Sequence, residues 1–273
     1  MAETKKTPKQ HTLTAASPDS PAPGSTPVGQ AAPPKGNATG LRVGAIVLWV
    51  VAIALEVLAL LIFNGTLFKA SSLKWPLGIG ALVLDLVCVI IGSQLWKKAN
   101  HISPASKANK VKFWLWNNLG VLVSIVAFAP FVVLLLTDKN ADIKTKKIAS
   151  IVAVVALVIA GILSYDPNPI SSEELSAAMD AYNGVTVYWT KSGKVYHSHQ
   201  DCFHLDRTDD LTYGSVDQAV AANRVRLCKT CQKKDEEAGV DLSGVLTEEG
   251  NDDVDTDIDA EDVNDVDSIP DAA

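Results

Sequence analysis

Four long apolar runs dominate the middle of this chain and restrict what it can fold into. They cover about residues 41–63, 75–96, 113–136 and 148–163. An α-helix rises about 1.5 Å per residue, so about 20 apolar residues cross a hydrocarbon core of roughly 30 Å. The first three runs have this length, and Tyr165 extends the fourth into the interface.

The same runs are apolar around the whole helix circumference, apart from isolated positions. Helices buried in a soluble protein normally carry a polar stripe, so the pattern favours membrane spans over soluble core helices. We therefore predict an all-α transmembrane four-helix bundle over residues 41–164. The lipid bilayer is then the first partner of the chain, and the protein is a multi-pass protein of the cell membrane.

Basic residues predict the orientation. The N-terminal region carries Lys5, Lys6, Lys9, Lys35 and Arg42, and the second loop carries Lys97, Lys98, Lys107, Lys110 and Lys112. The first loop has Lys69 and Lys74, whereas the third opposes the trend with Lys139, Lys144, Lys146 and Lys147. Cytoplasmic loops carry an excess of Lys and Arg, so we expect both termini in the cytoplasm.

Composition divides the rest of the chain. Residues 1–40 are rich in Pro, Ala, Ser and Thr and have almost no large apolar residues, which predicts a disordered tail. Residues 235–273 are acidic without a single Lys or Arg, and self-repulsion predicts a second disordered tail. Between the bundle and this tail we place a polar connector at 165–183 and a soluble module at 184–234.

The module reads as a small α+β unit. Residues 185–190 and 195–197 are rich in strand-forming side chains and flank a turn at Gly193, a pattern typical of a β-hairpin. Residues 215–223 place apolar side chains on one face of a short helix. Cys228 and Cys231 form a CxxC knuckle at the end of the unit.

Three cysteines of the module and a nearby histidine have the spacing of a metal site. A disulfide would pair two of Cys202, Cys228 and Cys231 and leave the third alone, whereas zinc takes four N and S ligands in a tetrahedron. His197, at the predicted strand end, is the expected fourth ligand. A unit of about fifty residues has a small core, so a structural zinc ion would stabilise it.

Two alternatives remain open at this site. His199 or His204 can replace His197 as the histidine ligand, and the three thiols can instead form a redox switch. A closed Cys₃His site leaves no position for a substrate, which favours structure over catalysis. The chain also shows no nucleophile–base set and no phosphate-binding loop, so we predict that it is not an enzyme.

The module resembles small bacterial modules related to the Ada-type metal-binding domain. The shared pattern is Gly-x-x-Tyr-His, a spaced Cys, a Leu, an Ala-rich helix and Cys-x-x-Cys. It matches Gly193, Tyr196, His197, Cys202, Leu205, Ala219, Ala222, Cys228 and Cys231. Leu227 stands where Pro is frequent and Asn223 where Gly is frequent. The resemblance implies a zinc-binding fold over about a fifth of the chain. The methyl transfer of the Ada repair protein, which uses four cysteines, is not implied.

Two acids lie inside the predicted spans. Glu56 is in the first and Asp85 in the second, at similar depth and without a Lys or Arg in any span. Ionisable side chains inside a membrane cost free energy, and they are candidates for functional sites by default. We expect at least one to be protonated. Hydrogen bonding between helices is one explanation, with Ser124 at the same depth, and a proton or ion path is the other. Cys88 is read as a small buried apolar residue.

Three functions fit these features. The first is a membrane protein whose cytoplasmic zinc module binds a partner, either protein or nucleic acid, or has a regulatory role. The second is a small proton- or ion-conducting bundle that uses Glu56 and Asp85. The third is a membrane-tethered nucleic-acid-binding protein, supported by the basic residues Lys191, Lys194, Arg207, Arg224, Arg226, Lys229, Lys233 and Lys234. The third rests on analogy and is the least favoured.

Overall fold

The computed structural model describes residues 10–24, 36–67, 74–137 and 143–248 of the 273-residue chain. The N-terminal part consists of a short strand and five helices: β1 (Thr12–Ala15), α1 (Ala38–Phe63), α2 (Lys74–Ile102), α3 (Lys110–Asn117), α4 (Leu119–Thr137) and α5 (Ile143–Ser164). In the described part of the chain, α1 and α2 are each long and apolar enough to cross a membrane. The bent pair of α3 and α4 makes a third if it is one span, and Ser150–Ser164 is a shorter apolar helix.

A seam of small side chains holds α1 against its neighbours. Ala38, Ala45, Ala52 and Ala59 follow one another every seventh residue and are all buried. A seven-residue repeat keeps one face of a helix toward its partner, and alanines let the two backbones approach closely. Contacts between α1 and α2 are the most extensive of any pair, and α4 and α5 also pack on α2.

The third predicted span is broken rather than continuous. Helix α3 ends at Asn117, α4 begins at Leu119, and the two axes differ by 60°. The side-chain amides of Asn117 and Asn118 donate to the carbonyls of Phe113 and Trp114, which satisfies acceptors at the end of α3. Asparagine competes in this way with the backbone ladder, so two in succession favour a helix end.

The rest of the described chain forms a compact α+β module. Its elements are α6 (Ser172–Ala181), β2 (Val187–Trp189), β3 (Val195–Tyr196), a 3-10 helix (Phe203–Arg207), β4 (Asp210–Gly214), α7 (Val216–Ala221), β5 (Arg226–Leu227) and α8 (Lys229–Glu237). Strand β4 lies between β1 and β2 in a three-stranded sheet, and β3 pairs with β5 in a parallel two-stranded sheet.

The hairpin and the short helix agree with the sequence pattern. Tyr188 and His197 exchange two backbone hydrogen bonds of 2.7 and 2.8 Å, an antiparallel bridge that closes the turn at Gly193. Helix α7 ends just before Asn223, whose φ of 64° lies in the left-handed region that favours glycine and that asparagine tolerates. Strand β4 was not predicted.

The prediction of a disordered tail through residue 40 is wrong for residues 10–24. Strand β1 runs parallel to β4, with Thr12 opposite Asp210 and Ala15 opposite Tyr213, and Leu13 packs against the module core. Beyond it, the hydroxyl of Thr186 donates to Ala22 O at 2.7 Å. An exposed strand edge offers unpaired backbone groups, and this polar segment satisfies them. Residues 1–9 and 25–35 lie outside the described residues.

The module is also larger than residues 184–234. Ile170, Leu175 and Tyr182, from the predicted connector and the α6 region, are buried in its core, and Val245 joins them from the predicted acidic tail. Thr247 pairs with Leu227 beside β5. The boundary was missed because these residues are scattered among acids in the sequence. Residues 249–273 of the predicted acidic tail lie outside the described residues.

The module sits on the end of α2. The amide of Ser172 donates to Ala105 O at 3.1 Å, and Ala221 of α7 packs against Ala99 and Ile102. The start of α1 is at the same end, since Arg42 donates to Ser103 O at 2.7 Å.

Candidate metal centre

Three short elements bring the predicted donors together. His197 follows β3 and is held by the bridge to Tyr188. Cys202 immediately precedes the 3-10 helix, Cys228 caps the N-terminus of α8, and Cys231 lies in the first turn of that helix. The amide of Cys228 donates to Tyr196 O at 2.9 Å, which brings the start of α8 to the strand that leads to His197.

The four donor atoms form a closed, buried group. The Sγ atoms of Cys202 and Cys228 are 4.0 Å apart, and Cys231 Sγ is 3.8 Å from His197 Nδ1. All four donor atoms lie within 4.8 Å of one another, and each residue is at most 5% exposed. Donors around a tetrahedral ion with bonds of about 2.3 Å are separated by about 3.8 Å. The group can therefore bind one metal ion through four protein ligands.

Electrostatics at the site favour a bound cation. Hydrogen bonds with the Cys202 and Cys231 thiols and with His197 lower the pKa of Cys228. Burial alone would lower the pKa of His197, but the facing Cys202 and Cys228 raise it to about 9. Hydrogen bonds with Cys202 and Cys228 raise the pKa of Cys231, so Cys231 and His197 retain protons beside the Cys228 thiolate, and the group attracts positive charge. A metal ion supplies that charge in place of the protons.

The other two histidines of the module lie outside the group. His199 Nε2 is 2.8 Å from Asp235 Oδ1, and His204 Nε2 is 3.2 Å from the hydroxyl of Thr230. Of the three candidate histidines, only His197 has a ring nitrogen among the thiols.

Asp235 supports the site and was missed by the sequence analysis, which placed it at the start of the acidic tail. It is 5% exposed and accepts hydrogen bonds of 2.6 Å from both the Tyr182 and Ser198 hydroxyls, besides its contact with His199. The amide of His199 in turn points to Cys231 Sγ. The only signal in the sequence is that Asp235 follows Cys231 by four residues, which puts both on one face of α8.

The cysteines are all free thiols. A disulfide needs an S–S distance of about 2.05 Å, and the 4.0 Å between Cys202 and Cys228 is far longer. Cys88 is buried in α2 among Ala52, Val89 and Phe128, as expected of a small apolar side chain.

Glu56 and Asp85 are both buried within the helical region, 6% and 0% exposed. Another buried pair of titratable side chains, missed from the sequence, lies where α2 meets the module: His101 Nε2 is 2.8 Å from Asp166 Oδ2. Burial alone would raise the pKa of Asp166, but the hydrogen bond and charge of His101 hold it below its usual value.

Comparison with protein families, with curated proteins and with solved structures finds no match to this chain. The functional interpretation therefore rests on the geometry of the donor group and on the apolar helices.

Proposed function

We propose that this protein is a multi-pass membrane protein whose cytoplasmic module holds one structural zinc ion and acts by binding a partner rather than by catalysis. The observation that carries the proposal is the buried group of His197, Cys202, Cys228 and Cys231. Three thiolates and one imidazole are the ligand set of structural zinc sites, and a completed set leaves no position for a substrate. The likeness to Ada-type modules is part of this proposal and points to the same ion.

Zinc also has a folding role in this proposal. The donors come from β3, the 3-10 helix and α8, which are short elements that otherwise meet through the two-residue strands and a small shared core with Tyr196 and Leu205. A single ion bound to all three elements fixes them to one another. Structural zinc contributes on the order of 10–16 kcal/mol near pH 7, because binding and folding are coupled.

The contacts of the N-terminal segment support a topology with an even number of crossings. Strand β1 pairs with β4 of the module, so residues 12–15 and 210–213 lie on the same side of the membrane. An even number means two or four spans between them, and four spans is the arrangement that we propose. The loop after α2, which contacts the module, carries Lys107, and α3 begins at Lys110; by the positive-inside rule these residues support a cytoplasmic position for that side.

One exposed aromatic side chain marks the surface for the partner. Among the described residues from 166 to 248, Phe203 is the one large apolar side chain that is mostly exposed, at 60%. It directly follows Cys202, and its ring is stacked on His204 with centroids 3.8 Å apart. A mostly exposed aromatic side chain that packs on a neighbouring ring is the kind of residue that anchors protein interfaces.

The experiment combines metal analysis with co-purification. Detergent-solubilised full-length protein should contain one zinc per chain by elemental analysis, and a crosslinked partner should be recovered with it. The change Phe203→Ala should lose the partner and keep the zinc, whereas Cys228→Ser should lose both. The matched control is Glu237→Gln, which changes an exposed acid at the end of α8 and none of the basic residues of the third hypothesis. Recovery of nucleic acid instead of protein would favour the third hypothesis, and protein without metal would refute the structural zinc.

A further inference from the structure

The packing of α1 against α2 places the two buried acids opposite each other. Trp49 lies against Gly92, and Phe63 lies against Gly78. Seven residues separate Trp49 from Glu56, and seven separate Glu56 from Phe63. Asp85 is likewise seven residues from Gly92 and from Gly78. Because seven residues are about two helical turns, Glu56 and Asp85 meet midway between the two contacts.

The two carboxyl groups are enclosed by apolar side chains. Ala52 and Ala59 flank Glu56 on its face of α1, and Leu82 and Val89 flank Asp85 on α2, all of them buried. Both oxygens of Asp85 and one oxygen of Glu56 are fully buried and accept no hydrogen bond. Burying carboxyl oxygens without a hydrogen-bond partner costs free energy, unless a proton or a small cation lies between them.

Nothing in the surrounding helices supplies that charge. Residues 43–63, 76–96, 119–137 and 148–164 contain no Lys, Arg or His, and their other titratable group is the thiol of Cys88, one turn from Asp85. Lys144 and Lys147, at the start of α5, are exposed. At the other end, Arg42 is occupied by Ser103 O. Each carboxylate is therefore the nearest charge to the other.

The chemistry of the enclosure distinguishes a proton from a metal ion. Besides the carboxyl oxygens, the polar groups at the pair are the backbone N–H of Phe131, directed to Glu56, and the Cys88 thiol. Both are hydrogen-bond donors, whereas hard metal cations require about six or more oxygen ligands. A proton needs only one oxygen to bind and a second to accept its hydrogen bond.

The enclosure is sealed on one side. Away from the module, the Phe63 and Phe131 rings meet edge to face with centroids 6.0 Å apart, and Ala153 of α5 completes that apolar layer.

Polar atoms occupy the other side, toward the module. The Trp49 Nε1 and Ser93 Oγ atoms are buried without a hydrogen-bond partner. Ser93 and Ser164 both lie beside Gly120, and the Ser164 hydroxyl is 3.4 Å from that of Ser124.

That polar side continues along α2 to the module. Ser93 and Asn100 follow Asp85 by eight and fifteen residues, which keeps the three on one face of the helix. Asn100 is 3.4 Å from the side-chain oxygen of Asn117. The next residue is His101, which is paired with Asp166 beneath the module.

We infer that Glu56 and Asp85 together bind one exchangeable proton, and that it exchanges with the module side of the membrane through the polar face of Ser93 and Asn100. On binding, one carboxylate becomes a carboxylic acid and donates its O–H to the other carboxylate. No other group changes its charge. The Phe63–Phe131 contact closes the opposite side, so the site communicates with one compartment. This inference stands independently of the zinc proposal.

Infrared spectroscopy of the full-length protein in liposomes tests the site. We expect a C=O stretching band of a protonated carboxyl that disappears on titration to alkaline pH. The double variant Glu56→Gln and Asp85→Asn should lose the band completely. Each single variant should keep a band at a changed frequency, because the remaining acid has lost its hydrogen-bond partner. The control Glu173→Gln alters an exposed acid and should leave the spectrum unchanged. Monodisperse elution with intact helical circular dichroism establishes that each variant is folded.

The route is tested by exchange of that proton for deuterium. Ser93→Ala should slow the downshift of the band in D₂O by tenfold or more, whereas Ser150→Ala, a serine of α5 away from the polar face, should not. A spectrum without the band, or a band that survives in the double variant, would overturn the proton site. Loss of the band on adding sodium at constant pH would show a metal-ion site instead. An unchanged exchange rate in Ser93→Ala would overturn the route.

Discussion

The boundaries of the metal module can be tested by comparing two soluble fragments. One contains residues 184–234, the extent given by the sequence pattern, and the other contains residues 166–248. Both contain His197, Cys202, Cys228 and Cys231. Only the longer fragment has α6 and the segment after α8. Both fragments lack β1, and the structure predicts that only the longer one forms the core around the donor group when zinc is added.

The size of the effect follows from the side chains that the shorter fragment lacks. Ile170, Leu175 and Tyr182 are 2%, 5% and 5% exposed in the module core. Burial of a large apolar side chain contributes about 1.5–3 kcal/mol, so the three contribute about 5–9 kcal/mol. That approaches the roughly 5–15 kcal/mol that stabilises an ordinary domain. The shorter fragment also ends before Asp235, so Ser198 and His199 lose their partner.

Zinc affinity reports this loss because folding and binding are coupled. Each 1.4 kcal/mol is about tenfold, so the shorter fragment should bind zinc about a thousandfold more weakly or worse. Competition with a chromogenic chelator measures the affinity, and far-ultraviolet circular dichroism with and without chelator measures folding. The longer fragment with Glu173→Gln is the control, since that exposed side chain bonds to the loop after α2 and to its neighbour Ser172 but not to the module core. Equal affinity and equal folding of the two fragments would refute the assignment of α6 to the module.

Three further predictions concern the full chain. His197→Ala should abolish stoichiometric zinc binding and His199→Ala should retain it, because only the His197 ring lies among the thiols. Elemental analysis measures the zinc content, and the opposite result would identify His199 as the ligand. Asp166→Asn should cost about 3–5 kcal/mol by leaving His101 buried without its partner, seen as a lower Tm. Because the pKa of Asp166 is lowered in the folded state, its contribution is present above pH ~3.9 and is lost as the pH falls through the folded pKa, so wild type and variant should converge in acid. Leu13→Asp should release β1, detected as faster amide exchange in β4; unchanged exchange would contradict the docking.

Much of this protein could be read from local sequence. Long apolar runs predict membrane-length helices, because a helix satisfies its backbone hydrogen bonds within its own segment. The CxxC of Cys228 and Cys231 predicts a knuckle because both thiols come from one turn of chain. The φ of Asn223 likewise depends on a local requirement, the left-handed turn after α7.

Tertiary structure decided the features that depend on residues far apart in the chain. The segment Thr12–Ala15 has only one large apolar side chain, Leu13, and its strand forms against the edge of β4, about 200 residues away, and against the module core. Asp235 reads as one acid of an acidic tail, yet Tyr182 and Ser198 bury it. The break at Asn118 was also not predicted, since an apolar run by itself does not reveal where a helix bends.

The buried acids show the contribution of the sequence and that of the tertiary structure. Sequence alone determined that Glu56 and Asp85 lie in apolar segments without a cation, because hydropathy is a property of each segment. The sequence also predicted a similar depth for both, but that they face each other depends on the antiparallel register of α1 and α2, which is set by the contacts of Trp49 with Gly92 and Phe63 with Gly78. Register is fixed by how side chains of two helices interlock, and that information exists only once both helices are packed.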